Sequence, residues 1–399
     1  MKGAINMNYN FNEAKNHLIN SYNFLEPVMS YGDGVYLYDI NNNKYLDFTS
    51  GIGVNSLGYN DEDWIQATTT QLKTLQHNSN IFYNNTTVKL AKKLTKTSNM
   101  SKVFFANSGA EANEGAIKLS RKYSYDKYGY SRNKILSLIQ SFHGRTITTL
   151  KATGQEKFHQ YFYPFTEGFD YVKANDIEDF KNHLSPDVCA IILEAIQGEG
   201  GVLPLNKNFV QEVVKTCNDN DILVIFDEVQ CGIARTGKMF GFNNFDVKPD
   251  IVTVAKGLGG GLPIGAVLCS KKIDNVFMPG DHGSTFGGNP VACSGALVVL
   301  EKLCNENSFD EIYQKGNFVK DILKKSNNPH ILSVRGSGLM LGIQVDIPPS
   351  LIQNEALKKG LIVLTAGKDV IRLLPPLIIS KNQLHEGLCT LLNVLNSIK

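Results

Sequence analysis

Between residues 100 and 270, short and wholly apolar runs alternate with helical segments, and this alternation limits the possible folds more than any other feature of the chain. The runs are Val103-Phe-Phe105, Lys134-Ile-Leu-Ser-Leu-Ile139, Cys189-Ala-Ile-Ile-Leu193, Ile222-Leu-Val-Ile-Phe226, Ile251-Val-Thr-Val254 and Ile264-Gly-Ala-Val-Leu268. Helical patterns over 109–125 and 208–218 lie between them. A strand that is apolar on both faces has no side to turn to water. It belongs in a mostly parallel sheet with helices on both faces, an α/β architecture. Ligands of such sheets sit beyond the carboxyl ends of the strands. At 399 residues the chain exceeds one small core. Residues 1–60 read as an N-terminal segment and part of a small lobe, with Gly34–Ile40 and Lys44–Phe48 pairing as a hairpin about Asn41–Asn43. Residues 61–305 read as the large domain. Residues 306–399 read as a C-terminal small domain, with strand-like Leu339–Val345 and Val370–Leu374 and a last helix over 381–397.

Composition narrows the function classes. Hydrophobic residues make up 42% and charged residues 20%, enough apolar surface to offset chain entropy, so the chain folds. Lys+Arg total 40 against Asp+Glu 38, with no basic run, which argues against a polyanion-binding surface. Only six of those cations are arginine: Arg121, Arg132, Arg145, Arg235, Arg335 and Arg372. The seven cysteines include no C-x-x-C pair, which points to reduced thiols in a cytoplasmic protein and to no zinc site. Met1–Asn20 is polar and lacks the apolar core of a signal peptide, and no run is long enough to span a membrane.

Four motifs fall at strand ends. Asn107-Ser-Gly-Ala-Glu-Ala-Asn113 opens a helix, with Ser108 as N-cap and Glu111 completing a capping box. Capping boxes are common, but small Gly109 and Ala110 also leave bare amides at a helix N-terminus, which suits a phosphate. Phe226-Asp-Glu-Val-Gln230 ends an apolar strand in two acids. Asp227 can hold a positive charge on a ring nitrogen, with Glu228 or Gln230 bonding ring substituents, although acid-ended strands also serve metals. Lys256 follows a strand and precedes glycines. Desolvation at a strand edge can strip its proton, and a neutral amine can form a Schiff base, whereas a surface lysine beside a loop is the plainer reading. His282-Gly-Ser-Thr-Phe-Gly-Gly-Asn-Pro290 offers hydroxyls in a glycine-rich turn before a helix that starts at Asn289 and Pro290. Phe142 and Arg145 lie in a post-strand loop, and Glu199 in a turn, Gln197–Gly201, that reads as mobile. Alone, Phe142 favours core packing and Glu199 a solvated loop acid. Together these features supply a phosphate cradle, an aromatic face, a ring-nitrogen acid and a reactive lysine, the parts of a pyridoxal phosphate site.

With these motifs the chain resembles the class III (ornithine-type) aminotransferases of the type I pyridoxal phosphate fold, from about residue 20 to 395. Gly51–Asn55 and His77–Tyr83 join the motifs above in carrying the resemblance, which is strongest to the branch acting on acetylornithine. It implies a large domain with a mostly parallel seven-stranded sheet and a smaller α+β lobe drawn from both termini. It implies that the chain moves the terminal amino group of N-acetylornithine to 2-oxoglutarate, giving glutamate, a step of arginine biosynthesis. Ornithine, succinylornithine and 4-aminobutyrate are alternative donors, and a silent regulatory protein on this fold is the non-enzymatic alternative.

The resemblance also implies roles. Lys256 bonds the cofactor and shuttles the proton. Asp227 pairs with the ring nitrogen and Gln230 with the ring hydroxyl. Phe142 and Val229 cover the two ring faces. Ser108, Gly109 and Ala110 hold the phosphate, and Thr285 completes it from the neighbouring subunit of a homodimer. Arg145 takes the substrate's distal carboxylate and Arg372 glutamate's α-carboxylate, with Glu199 as a switch on Arg372 and Ser284 among the substrate contacts. Arginine suits both posts because its planar fork meets a carboxylate bidentately. One departure stands out. The family continues the Gly51–Gly58 region with histidine, whereas Tyr59 follows here, near the expected substrate end of the site.

Overall fold

The computed structural model describes residues 16–398, so most of the polar Met1–Asn20 stretch lies outside the described residues. The apolar runs form a seven-stranded sheet in the order Lys102–Ala106, Gly265–Cys269, Ile251–Val254, Leu223–Asp227, Val188–Leu193, Lys134–Leu138 and Phe169–Val172. Only Gly265–Cys269 runs against its neighbours. A mostly parallel seven-stranded sheet is what the resemblance implied.

Alternate residues of the central strands enter two cores. Ile191, Leu193, Val224, Phe226, Val252 and Val254 face one. Ala190, Ile192, Leu223, Ile225 and Ile251 face the other. Helix Lys207–Asp219 buries Phe209, Val210, Val213, Val214 and Cys217 in the first core, a spacing that keeps one helical face apolar. Helix Gly109–Tyr128 meets the second core through Ala112, Ala116 and Ile117, and the small alanines let the helix lie close to the strands.

The apolar-run rule missed Phe169–Val172. It is a four-residue edge strand that carries Asp170, because an edge strand shows one side to water. The rule also missed Ile331–Ser337, whose residues are mostly half-buried.

Among the described residues, two four-stranded sheets and a two-stranded ribbon of Ile196–Gln197 with Leu203–Pro204 complete the fold. Met29–Asp33, Tyr36–Asp39 and Lys44–Asp47 form a meander, joined in parallel by Leu361–Ile362 from the far end of the chain. Ile331–Ser337, Met340–Val345, Val370–Leu373 and Leu364–Ala366 form the other, which carries Arg372. Helix Lys381–Ser397 starts at Ser380, whose side chain shares a capping box with Gln383.

Candidate active site

Topology brings the motifs to one edge. Asn107, Ser141, Glu194, Glu228 and Ala255 each stand at or just past the carboxyl end of a parallel strand, and the antiparallel strand begins there at Gly265. Beside this edge lies a cavity of about 440 Å³, lined by Asn107, Glu194 and Ala255 among others, within the range of small-molecule sites. Ser108, Gly109, Ala110, Phe142, Arg145, Glu199, Asp227, Val229, Gln230 and Lys256 all line it.

The phosphate end is built by helix Gly109–Tyr128. Ser108 Oγ accepts from the Glu111 amide at 3.1 Å. The reciprocal half of the expected capping box goes elsewhere: the Glu111 carboxylate reaches Asn107 N and Nδ2, each at 2.8 Å, one residue further back. The first two amides, of Gly109 and Ala110, have no intrahelical acceptor and sit at the positive end of the helix dipole. Glycine is required at 109, because a Cβ there would stand 2.7 Å from Val229 Cγ1 on the cavity wall.

Asp227 is 4% exposed and held from three directions. Its Oδ1 accepts from Val229 N at 3.0 Å. Its Oδ2 meets Asn113 Nδ2 at 2.7 Å and His143 Nδ1 at 2.8 Å. An ionised carboxylate only accepts, so His143 carries its proton on Nδ1. Asn113 is fixed in turn by the His143 carbonyl at 2.8 Å and by Thr253 Oγ1 at 2.7 Å. The three residues Asn113, His143 and Glu194 received no role from the sequence. For Asn113 a signal existed: it lies among Ala112, Ala116 and Ile117 on the buried helix face, and a buried amide requires partners.

Glu228 is corrected. It does not reach the cavity but turns into the protein and accepts from the amides of Gly241 at 2.7 Å and Phe242 at 2.8 Å. Burial pushes its pKa up to about 8, against those two bonds. Gln230 is the residue of the pair that faces the cavity.

Lys256 follows strand Ile251–Val254 and adopts a left-handed backbone, φ 43°. Burial lowers its pKa from the ordinary lysine value, partly opposed by the charge of Glu199. Arg372, in strand Val370–Leu373, is 2% exposed, and its Nη1 donates to Glu199 Oε1 at 2.6 Å and to Gln230 Oε1 at 3.1 Å. Burial alone would raise the Glu199 pKa, but the Arg372 guanidinium outweighs it and holds that carboxyl below its usual value. The turn that carries Glu199 is tied down rather than loose, since the Glu199 carbonyl accepts from Gly367 N at 3.1 Å. Arg145 lies over the rings of Phe142 and Phe158, at 5.5 and 4.3 Å from their centroids, and has no carboxylate partner among the described residues.

Two expectations fall away from this chain's cavity. Ser284 Oγ accepts from Gly287 N at 2.9 Å and Asn107 Nδ2 at 3.2 Å, and Thr285 is exposed, so neither lines the cavity. Tyr59 also does not enter it. Its ring packs on Gly32 and its hydroxyl donates to buried Asp47 at 2.8 Å.

Arg235, also away from the cavity lining, is buried and donates to the carbonyls of Leu339 at 3.1 Å and Pro375 at 2.6 Å.

The donor set fits pyridoxal phosphate. A lysine amine, a fixed carboxylate, the free amides of a helix N-terminus and the apolar side chains of Phe142 and Val229 line one cavity, matching its aldehyde, ring nitrogen, phosphate and ring.

The aminotransferase class III family model matches residues 20–395. The chain is 51% identical over 387 residues to an acetylornithine aminotransferase of Haemophilus ducreyi, covering 96% of this chain and 97% of that protein. It is 46% identical to one of Caldanaerobacter subterraneus subsp. tengcongensis, covering 96% and 98%. Among solved structures, an N-acetylornithine aminotransferase from Stenotrophomonas maltophilia superposes with a TM-score of 0.83 at 34% identity, covering 94% and 97%. An ornithine aminotransferase from Toxoplasma gondii superposes with a TM-score of 0.91 at 30% identity, covering 96% and 93%. The chain belongs to the class III aminotransferases, pyridoxal phosphate-dependent enzymes.

Proposed function

We propose that this aminotransferase takes the terminal amino group of N-acetylornithine and passes it to 2-oxoglutarate, giving N-acetylglutamate semialdehyde and glutamate, a step of arginine biosynthesis. The observation that carries the reading is the arrangement of two arginines, Arg145 in the cavity lining and Arg372 buried behind Glu199 and Gln230. Arg372 is paired with Glu199 at 2.6 Å, while Arg145 has no carboxylate partner among the described residues.

One donor has two carboxylates and the other has one, set far from the amine that reacts. Glutamate's distal carboxylate and acetylornithine's α-carboxylate both go to Arg145. Glutamate's α-carboxylate takes Arg372 and displaces Glu199. When acetylornithine binds, Glu199 stays on Arg372 and keeps that buried cation neutralised, which a lone charge there would need. Identity to the Haemophilus and Caldanaerobacter enzymes supports the same donor.

Bound pyridoxal phosphate supplies an electron sink for the pair left behind when the carbon bearing the transferred nitrogen loses its proton. Lys256, made less basic by burial, would hold the cofactor and would take and return that proton, and water entering the cavity would then release the oxo product. Asp227, fixed by Asn113 and His143, holds the positive charge on the ring nitrogen. Gln230 orients the ring hydroxyl, Phe142 and Val229 hold the ring flat, and the amides of Gly109 and Ala110 with Ser108 bind the phosphate. Exposed Thr285 completes the phosphate site of a second copy, and Ser284 contacts substrate there, so the working unit is a homodimer. The seven free cysteines suit the reducing cytoplasm. Incubating the holo-protein with N-acetylornithine and 2-oxoglutarate yields glutamate. If glutamate forms with ornithine or 4-aminobutyrate but not with N-acetylornithine, the donor assignment is wrong.

A further inference from the structure

Glu194 stands immediately after strand Val188–Leu193, at the middle of the sheet edge, and is 5% exposed. Its two oxygens serve two different loops. Oε1 accepts from the Phe142 amide at 2.9 Å, and Oε2 from the Gly198 amide at 3.3 Å. The first loop carries Arg145, three residues on. The second carries Glu199, the next residue. A parallel tie runs beside it, from Gln197 Nε2 to the Ile139 carbonyl at 2.9 Å. The loops touch at the backbone as well, since a Cβ on Gly200 would stand 2.4 Å from the Gln140 carbonyl oxygen. On the far side, Arg335 Nε donates to the Gly201 carbonyl at 2.9 Å, which gives a role to an arginine the cavity does not use.

We infer that Glu194 is a positioning residue, a strap with Gln197 that fixes the spacing between the Arg145 arm and the Glu199–Arg372 arm and so tunes the fit of a dicarboxylate donor. This rests on the assignment of those arms made above. Chemistry explains the residue type. Two amides from separate loops converge on one side chain, and only a carboxylate offers an acceptor to each without presenting a donor. An amide at this position would turn an N–H toward one of them and leave two donors facing each other.

The surroundings agree. Burial foremost, then the charge of Asp227, push the Glu194 pKa up to about 7, while His143 opposes. Lys256 and the Cys231 thiol also face it. The carboxyl therefore gains a proton as the pH falls through about 7, and one of its oxygens then becomes a donor. The strap is complete above that pH and loosened below it.

The test compares holo wild type with Glu194→Gln and Gln197→Met by half-reaction kinetics and by amide hydrogen exchange. In Glu194→Gln the apparent Kd for glutamate rises about tenfold while the limiting rate stays within about threefold, the size expected for losing one bond to a charged group. Exchange accelerates at Phe142 and Gly198 and not in the sheet. The wild-type Kd weakens as pH falls through about 7, and that dependence is absent from the variant. Gln197→Met moves Kd and exchange in the same direction by less.

Unchanged Kd and unchanged exchange in Glu194→Gln overturn the strap. Should that variant not fold, an unchanged Kd in Gln197→Met overturns it. Glutamate is the probe, so failure of the acetylornithine assignment leaves the result readable. If Arg145→Ala and Arg372→Ala leave the glutamate Kd unchanged, the arms are misassigned and the effect on fit falls with them, while faster exchange at Phe142 and Gly198 in Glu194→Gln still reads the tie between the two loops.

Discussion

Arg372→Ala separates the two half-reactions. The guanidinium is 2% exposed and is bonded to Glu199 at 2.6 Å and to Gln230 at 3.1 Å. When glutamate binds, its α-carboxylate replaces Glu199 on that group. Removing one member of a buried, hydrogen-bonded charge pair costs about 2–5 kcal/mol. At about 1.4 kcal/mol per tenfold, kcat/KM for glutamate falls about 30-fold to several thousandfold. Acetylornithine places its carboxylate on Arg145, so its half-reaction changes by no more than about threefold, under about 0.7 kcal/mol. The substitution also removes the guanidinium that holds the Glu199 carboxyl down. Burial then governs that group, and it takes up a proton at higher pH than in the wild type. In the wild type the pKa of Glu199 is lowered, so the pair is complete above the usual carboxylate range and is lost only as pH falls through that lowered value. Stopped-flow absorbance of the cofactor, with each amino donor mixed separately, reads both rates. Equal losses in the two half-reactions would refute the switch, and so would a glutamate rate that survives.

Lys256→Ala abolishes transamination, and borohydride no longer fixes the cofactor to the protein; turnover at the wild-type rate would remove Lys256 from the mechanism. Because burial lowers the pKa of that lysine, covalent capture of pyridoxal phosphate by the cofactor-free protein rises with pH to a midpoint below that of free lysine, a shift that titration by absorbance detects. Gly109→Ala forces a Cβ to within 2.7 Å of Val229 Cγ1. Overpacking of about 1–3 kcal/mol weakens cofactor binding about tenfold or more, and Val229→Ala in the same chain restores most of it, a coupling that a double-mutant cycle measures.

How much of this was legible in the residues follows from what each residue needs. The central strands were readable because both faces are buried, as with Ile191 and Ile192, which point into opposite cores. The edge strand Phe169–Val172 was not, because one side of it meets water. Many of the residues that line the cavity stood at strand ends and could be named in order. The residues that support them could not. Asn113 and His143 meet Asp227 across 114 and 84 positions of chain, and Glu194 meets Phe142 across 52, distances that only the folded sheet closes. The residues alone left Glu228 and Gln230 open, and only the family resemblance pointed to Gln230; in the fold the amides of Gly241 and Phe242 draw Glu228 inward. Tyr59 marked a departure from its family, yet its hydroxyl is spent on Asp47 away from the cavity, so the substrate end of the site does not depend on it. The scarcity of arginine proved informative in two ways. Arg145 and Arg372 line or flank the cavity. Arg235, Arg132 and Arg121 instead bind backbone carbonyls, which need the several donors of a guanidinium.

The central claim is a terminal-amine donor with a single distant carboxylate and a blocked α-amine. It is tested most directly by comparing kcat/KM for N-acetylornithine, succinylornithine, ornithine and 4-aminobutyrate, each with 2-oxoglutarate as acceptor. N-acetylornithine should give the highest value, and 4-aminobutyrate, with its carboxylate on a shorter chain, a far lower one. A higher value for ornithine or 4-aminobutyrate than for N-acetylornithine would contradict the account.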